Sequence, residues 1–262
     1  MSEDQVYLSS DGAIARLVLN RPEKRNALSL AMWRAIPALV AEVEDDPGLK
    51  LLIVQGVDAR AFAAGADIGE FETAFATREG RDDYADAVAA AEQSLGRCAK
   101  PTLAMIQGDC IGGGVELALA CDIRIASRES RFGVTPARLG LVYSLSSTRR
   151  LIALMGPARA RDLLYTGRLF DAAEAARVGL VDDLYPAATV VAETRAYAES
   201  ILRNSQYSVR AAKAISAAIL SGACAETAET RALRTGGFAG EDAREGIRAY
   251  LEKRPAAFTW CE

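Results

Sequence analysis

The run from Leu51 to Gln55 shows no alternation of polar and apolar residues, so it reads as a strand buried on both faces. A strand of that kind needs a sheet covered on each side, which points to an α/β fold. Thr102 to Ile106, opened by Pro101, and a segment near Ile123 to Ala126 read as further strands. Val6 to Ser9 and Ala13 to Leu19 read as a hairpin with Asp11-Gly12 as its turn. Asn20-Arg21-Pro22-Glu23 breaks that pattern. Ser29 can then N-cap a helix from Leu30 to about Glu44, with Met32, Ile36, Leu39, Val40 and Val43 on its apolar side. The units recur loosely as β-β-α, without the one-helix-per-strand rhythm of a doubly wound sheet. From about Gly156 helical patterns dominate, punctuated at Gly167, Gly179, Pro186 and Gly222. The expected organisation is a core over residues 1–195 and a helical C-terminal region over 196–262, packed on that core or on a neighbouring subunit.

Composition removes whole classes of chemistry. The chain has no histidine, so Ser-His-Asp and Cys-His catalysis and His-bearing metal sites are excluded. Acid–base work falls to carboxylates, Tyr, Lys, Cys or bound water. A net charge of −4 argues against nucleic acid as a partner, because its phosphates require a basic face. Cys98, Cys110, Cys121, Cys224 and Cys261 contain no CxxC spacing and read as buried thiols in a reducing compartment. The segment MSEDQVYLSS lacks the basic and apolar regions of a signal peptide, and no apolar run reaches membrane-spanning length. The expected location is cytoplasmic.

Gly112-Gly113-Gly114 lies between a strand and a short apolar helix, where glycines let a ligand approach backbone N–H groups closely. The spacing is neither a dinucleotide fingerprint nor a Walker A loop. Alone, the run reads more readily as a tight turn with close helix packing. Glu116 changes that balance, because it falls in the first turn of that helix inside an apolar stretch. A carboxylate there is either paired, with Arg124 as the nearest candidate, or functional, with a pKa lifted toward the range of a general acid or base. The functional reading is the stronger. Ala63-Ala64-Gly65-Ala66-Asp67 is a second loop of small residues, with Asp67 as a possible N-cap. Two such loops across a cleft could offer two N–H donors to one developing oxyanion.

These segments resemble the crotonase superfamily, the enoyl-CoA hydratases and isomerases. The resemblance rests on Asn20 through Leu28, Ala61 through Asp67, and Gly112-Gly113-Gly114-Val115-Glu116. It continues through Phe132-Gly133, Leu139-Gly140, Thr166-Gly167, Gly179-Leu180-Val181 and Glu252-Lys253-Arg254-Pro255. It implies a spiral of β-β-α units with a C-terminal helical region that trimerises, as a homotrimer or a dimer of trimers. It also implies an acyl-CoA thioester substrate whose carbonyl oxygen is held by the N–H groups of Ala66 and Gly113. No separate cofactor is expected, since coenzyme A enters as part of the substrate. By the same resemblance Arg25, Ala27, Leu28, Ala64, Asp67 and Ile68 would lie along the CoA. Lys253 would approach the CoA from the C-terminal helix or stand as a solvated charge.

The chain departs from the hydratase pattern at one place. Hydratases carry a second glutamate in a Phe-Gly-x-Pro-Glu pattern, and here Phe132-Gly133-Val134-Thr135-Pro136 puts Pro136 at that position. No Asp or Glu stands between Glu129 and Asp162. Thr135-Pro136 with Tyr143 downstream is similar to the branch that decarboxylates methylmalonyl- or ethylmalonyl-CoA. That branch differs in having His where Ala66 stands and Pro where Val142 stands. The expectation is therefore enolate chemistry with Glu116 as the single acid/base glutamate, directed at decarboxylation of a 2-alkylmalonyl-CoA. Tyr143 would orient the leaving carboxylate, or be a half-buried aromatic with a satisfied hydroxyl. The alternatives are an enoyl-CoA hydratase or isomerase using Glu116 alone, and a non-catalytic acyl-CoA binder. Arg138, Arg149 and Arg150 are candidates for gripping a carboxylate or phosphate, each against the simpler reading of a surface charge.

Overall fold

The computed structural model describes residues 4–260. The hairpin forms where the sequence places it: β1 (Val6–Asp11) and β2 (Ile14–Leu19) pair antiparallel across a turn at Gly12, φ +61°. Helix α1 (Leu30–Asp45) starts where the Ser29 side chain accepts the Met32 N–H. From β3 (Leu51–Gly56) onward the chain repeats a simple unit of long strand, short strand and helix. After β3 come β4 (Ala61–Ala63), α2 (Phe71–Ala74) and α3 (Arg78–Arg97). Then β5 (Thr102–Ile106) and β6 (Asp109–Ile111) lead into α4 (Gly113–Ala120). In the same way β7 (Ile123–Ser127) and β8 (Arg131–Gly133) lead into α5 (Leu145–Thr166), which is kinked at Gly156. The chain continues through β9 (Leu169–Asp171), α6 (Ala172–Arg177), β10 (Asp183–Tyr185) and α7 (Val190–Leu202). It closes with α8 (Gln206–Leu220), α9 (Ala228–Ala239) and α10 (Glu241–Glu252).

The long strands build one sheet in the order β1-β2-β3-β5-β7-β10, parallel from β2 onward. The short strands build a second sheet, β4-β6-β8-β9, parallel except for β9. Each repeat therefore adds one neighbouring strand to both sheets, and the chain advances as the expected β-β-α spiral.

The apolar run in β3 is explained by where its two faces point. Leu52 and Val54 enter the main core with Leu17, Leu19, Ala104 and Ile106. Leu51 and Ile53 enter a second cluster with Ile14, Leu103, Met105 and Ala198. Ala198 belongs to α7, whose Tyr197, Ile201 and Leu202 also pack there. The division expected between residues 195 and 196 thus falls inside a helix that covers the sheet, and the helices beyond the core begin with α8.

Two further expectations are corrected. β9 and β10 are strands in a stretch read as helical, because each is only three residues long and is held as an outermost strand of its sheet. Cys98, Cys110 and Cys121 are buried as expected, whereas Cys224 is exposed beside the Gly222 turn; Cys261 lies outside the described residues. Among the described residues, no helix is long and apolar enough to cross a membrane.

Candidate active site

Three loops meet at the ends of β4 and β6. The first is the segment from Asn20 to Leu28, which is tied down by side chains. Buried Asn26 accepts the Arg21 N–H at 2.9 Å and donates to the Ala61 carbonyl at 2.8 Å, fixing the segment to β4. Arg25 and Asn26 both adopt left-handed backbone, φ +51° and +55°, which these contacts sustain. Asp67 of the second loop binds Arg21 at 2.9 Å and Lys24 at 2.8 Å, and Arg21 also donates to the Ala27 carbonyl. The Lys24 ammonium and the Arg21 guanidinium hold the Asp67 carboxyl below its ordinary value against the opposing cost of burial. Asp67 also caps the short turn Ile68–Glu70, as its place in the sequence suggests.

Leu28 and Ala66 then pair as an isolated parallel bridge: Leu28 N–H donates to the Gly65 carbonyl, and Asp67 N–H to the Leu28 carbonyl, both at 2.8 Å. That register turns the Ala66 N–H to the opposite side. On that side lies Gly113: a Cβ built on it would sit 3.5 Å from the Ala66 nitrogen. The Gly113 N–H is the first of α4 and has no acceptor one turn back. Among the described residues, neither the Ala66 nor the Gly113 N–H donates to the protein. The two donors expected from the sequence are brought together.

The third loop reaches this position through its glycines. Gly112, at φ +51° and ψ −117°, turns the chain from β6 into α4 in a conformation that disfavours any Cβ. Gly114 lets α4 lie backbone to backbone on β4, since a Cβ there would meet the Ala63 carbonyl oxygen at 2.5 Å.

Glu116 projects from the first turn of α4 and makes no ion pair among the described residues; its hydrogen-bonding neighbour is the Ser144 backbone N–H. Arg124, its candidate structural partner, is engaged elsewhere, at 2.7 Å from Asp182 and donating to the Leu180 and Cys121 carbonyls. Burial, reinforced by the nearby charge of Glu92 and opposed by the Ser144 backbone amide, pushes the Glu116 carboxyl up to about 8. A carboxyl that exchanges its proton near neutrality, beside two free N–H donors, can move a proton at a carbon next to a polarised carbonyl.

Pro136 is buried in the turn Pro136–Leu139 and brings no carboxylate to the site. Tyr143 is buried, and its hydroxyl donates to the Gly112 carbonyl at 2.7 Å. Its single proton is thereby committed to the protein rather than aimed at a substrate carboxylate.

Glu92 was not singled out by sequence reasoning. It sits in the apolar stripe of α3 formed by Tyr84, Ala87, Ala91 and Leu95, and that interruption was the available signal. Fully buried, it accepts from the hydroxyls of Ser144, Ser146 and Ser147, with Arg150 at 3.6 Å. Arg150 is therefore turned inward to Glu92, while Arg149 donates to the Leu220 carbonyl. α2 and α3 also supply an aromatic cluster. The Phe71 and Phe75 rings stack at 4.3 Å with Tyr84 edge-on to both, and the Trp33 indole edge would lie 3.1 Å from a Gly113 Cβ.

The remaining candidates scatter more. Ala27 and Ala64 are half-buried at the loop junction, and Ala64 N–H donates to the Arg25 carbonyl. Arg25 is exposed and 3.4 Å from Asp109, Ile68 is exposed, and the Leu28 side chain is wholly buried against Gly113. Lys253 ends α10 in left-handed backbone and makes no hydrogen bond or ion pair to these loops among the described residues.

Comparisons of the whole chain with known proteins point to one family. The enoyl-CoA hydratase/isomerase family profile matches residues 9–260. A protein of Mycobacterium tuberculosis named as a probable enoyl-CoA hydratase is 36% identical over 261 residues, covering 99% of both chains. The crotonyl-CoA hydratase of Syntrophomonas wolfei is 35% identical over 266 residues, covering 98% of this chain and 99% of that one. The crystal structure of an enoyl-CoA hydratase/isomerase family protein from Hyphomonas neptunium superposes with a TM-score of 0.95 at 47% identity, covering 98% of each chain.

Proposed function

Since the chain belongs to the enoyl-CoA hydratase/isomerase family and so processes acyl-CoA thioesters, we propose that it adds water to an enoyl-CoA with Glu116 as its only acid–base carboxylate. The observation that carries this reading is the desolvated Glu116, without an ion pair among the described residues, on the same helical turn as Gly113, whose N–H and that of Ala66 have no protein acceptor there. In the proposed step the thioester oxygen accepts from both N–H groups. Ionised Glu116 takes a proton from water as the water oxygen bonds to C3 of the enoyl group. The electron pair of the carbon–carbon double bond moves toward the thioester, forming an enolate. Glu116, now protonated, returns its proton to C2, so one carboxylate serves both halves of the addition. Trp33 and the Phe71–Phe75–Tyr84 cluster would surround an apolar acyl group.

The hydratase relatives support this reading over decarboxylation. Decarboxylation of a 2-alkylmalonyl-CoA remains the second reading, favoured by one observation: Pro136 stands where a second glutamate would repel the substrate's own carboxylate. Both routes pass through a thioester enolate that the same two N–H groups would stabilise. The family reading extends to a homotrimer or dimer of trimers, for which exposed Phe238, Ile247, Tyr250 and Leu251 offer apolar surface.

The test is turnover of crotonyl-CoA beside malonyl-, methylmalonyl- and ethylmalonyl-CoA, read by mass spectrometry. Hydration predicts gain of one water on crotonyl-CoA, with kcat/KM rising with pH through about 8 as Glu116 ionises. Loss of carbon dioxide from a malonyl thioester, with crotonyl-CoA untouched, would replace it by the second reading. Glu116→Gln should lower either rate by about 10²–10⁴-fold. An unchanged rate would remove Glu116 from the mechanism.

A further inference from the structure

The Gly112–Gly113 peptide leads into α4, and its carbonyl accepts the Val115 and Glu116 N–H groups of the first helical turn at 2.9 and 3.2 Å. Its carbonyl and its N–H are opposite ends of one planar trans unit, so they point in opposite directions and turn together. Glycine stands on both sides of the bond, and the torsions that would rotate this plane meet no Cβ. The α4 amides hold the carbonyl from the helix side, and a further donor reaches it from outside the helix. On the carbonyl end stands the Tyr143 hydroxyl, buried and donating at 2.7 Å.

Tyr143 is itself held from behind. It directly precedes the first turn of α5, where Ser144 caps the helix by accepting the Ser147 N–H at 3.0 Å. Glu92 grips that turn from α3: the Ser144 hydroxyl lies 3.1 and 3.0 Å from its two oxygens, Ser147 donates at 2.9 Å, and Ser146 donates as well. Three hydroxyls donate to it, and the Arg150 guanidinium lies 3.6 Å away. Three elements are thus linked in series: α3 through Glu92, the start of α5 through its serines and Tyr143, and the entrance to α4 through the Gly112 carbonyl.

We infer that Tyr143 is a positioning residue of the oxyanion hole: its hydroxyl fixes and polarises the Gly112–Gly113 peptide whose N–H faces the thioester oxygen, and Glu92 braces the helix start that carries it. The inference rests on the reading of Ala66 and Gly113 as the oxyanion donors. A hydrogen bond accepted at one end of an amide strengthens the donor at the other, by roughly 10–30% per bond. The effect grows as negative charge builds on the substrate oxygen, so it favours the enolate over the bound thioester.

Two readouts on one ligand test this. The ligand is butyryl-CoA isotope-labelled at the thioester carbonyl carbon, a saturated thioester that can be neither hydrated nor decarboxylated. The first readout is the carbonyl stretching frequency of the bound ligand; the second is exchange of its α-protons in deuterated water. Tyr143→Phe keeps the ring and removes the donor. It should lose part of the downshift of the carbonyl band and slow exchange about 10–100-fold, less than the roughly 10²–10³ lost with a whole oxyanion donor. Affinity for butyryl-CoA should change by less than about threefold. Glu116→Gln should do the opposite, abolishing exchange while keeping the band shifted. A Glu116→Gln that still exchanges sinks the acid–base reading alone. An identical band and exchange rate in Tyr143→Phe and the wild type overturn this inference. If Tyr143→Phe does not fold, Glu92→Gln carries the test: a smaller loss of downshift with slower exchange supports the bracing, and wild-type values for both refute it.

Discussion

The two sheets of this protein are held together by different physics. In the large sheet, β3 is apolar on both faces, and Leu51, Leu52, Ile53 and Val54 bury almost all of their surface in two cores. In the small sheet the strands are three residues long, too short for burial alone to fix them. Side chains complete the job: Asn26 donates to the Ala61 carbonyl of β4, and Asp109 of β6 binds both Arg25 and Arg131. Gly114 lets a helix replace a strand as the packing partner of β4. Just beyond the ends of β4 and β6, the N–H groups of Ala66 and Gly113 have no protein acceptor among the described residues. The large sheet is where stability resides, and the small sheet is where backbone polarity is exposed for chemistry.

That division predicts that substitutions should separate by sheet. Glu116→Gln, at the small sheet, should have the largest catalytic effect while leaving the fold intact or more stable. Burial lifts this carboxyl from 4.5 to about 8, so the native state keeps a proton that the unfolded chain has released. The stability gained this way is fully present below the unfolded value and is lost as pH rises to about 8. Gln does not titrate. Wild type should therefore lose stability relative to Glu116→Gln between pH 4.5 and about 8, by at most a few kcal/mol at about 1.4 kcal/mol per unit. Thermal unfolding of both proteins across that range measures it. A gap that narrows with rising pH would contradict the desolvation of Glu116.

Leu52→Ala is the converse. Leu52 is fully buried in the main core, and its truncation should cost about 2–5 kcal/mol in denaturant unfolding. The folded fraction should turn over at the wild-type rate. A selective fall in kcat without a matching loss of stability would mean that the two sheets are mechanically coupled.

The same contrast explains what the sequence made legible. β1, β2, β3, β5 and α1 carry burial in their patterning, and each lies within a few residues of where that patterning puts it. β4, β6, β8 and β9 have no room for a pattern, since three residues show neither period two nor a contiguous run. The loops carrying Ala66 and Gly113 were readable all the same, because their small residues and the buried-looking Glu116 are chemical signals, independent of periodicity. Glu92 interrupts the apolar stripe of α3, but the interruption alone does not say what it binds. Its serines lie some fifty residues downstream, and nothing local in α3 announces them. Tyr143 was noticed, but the acceptor of its hydroxyl is a backbone carbonyl, to which any residue type could have contributed.

The smallest effect probes the seam between the two regions. Ser29 follows Leu28, whose backbone pairs with the Ala66 loop, and it caps α1, whose Trp33 lies against Gly113. Ser29→Ala removes the acceptor of the Met32 N–H at 3.2 Å and should cost about 1 kcal/mol of stability. Two contacts limit the damage: the Leu30 N–H still donates to Glu70 at 2.8 Å, and the Trp33 N–H still reaches the Ser29 carbonyl at 3.1 Å. The indole should then stay in place, and turnover should remain within about twofold of wild type, a difference well under 1 kcal/mol. A larger fall in kcat at unchanged KM would show that the first turn of α1 belongs to the oxyanion hole as much as to the core, and the boundary between the two regions would have to move to the far side of Trp33.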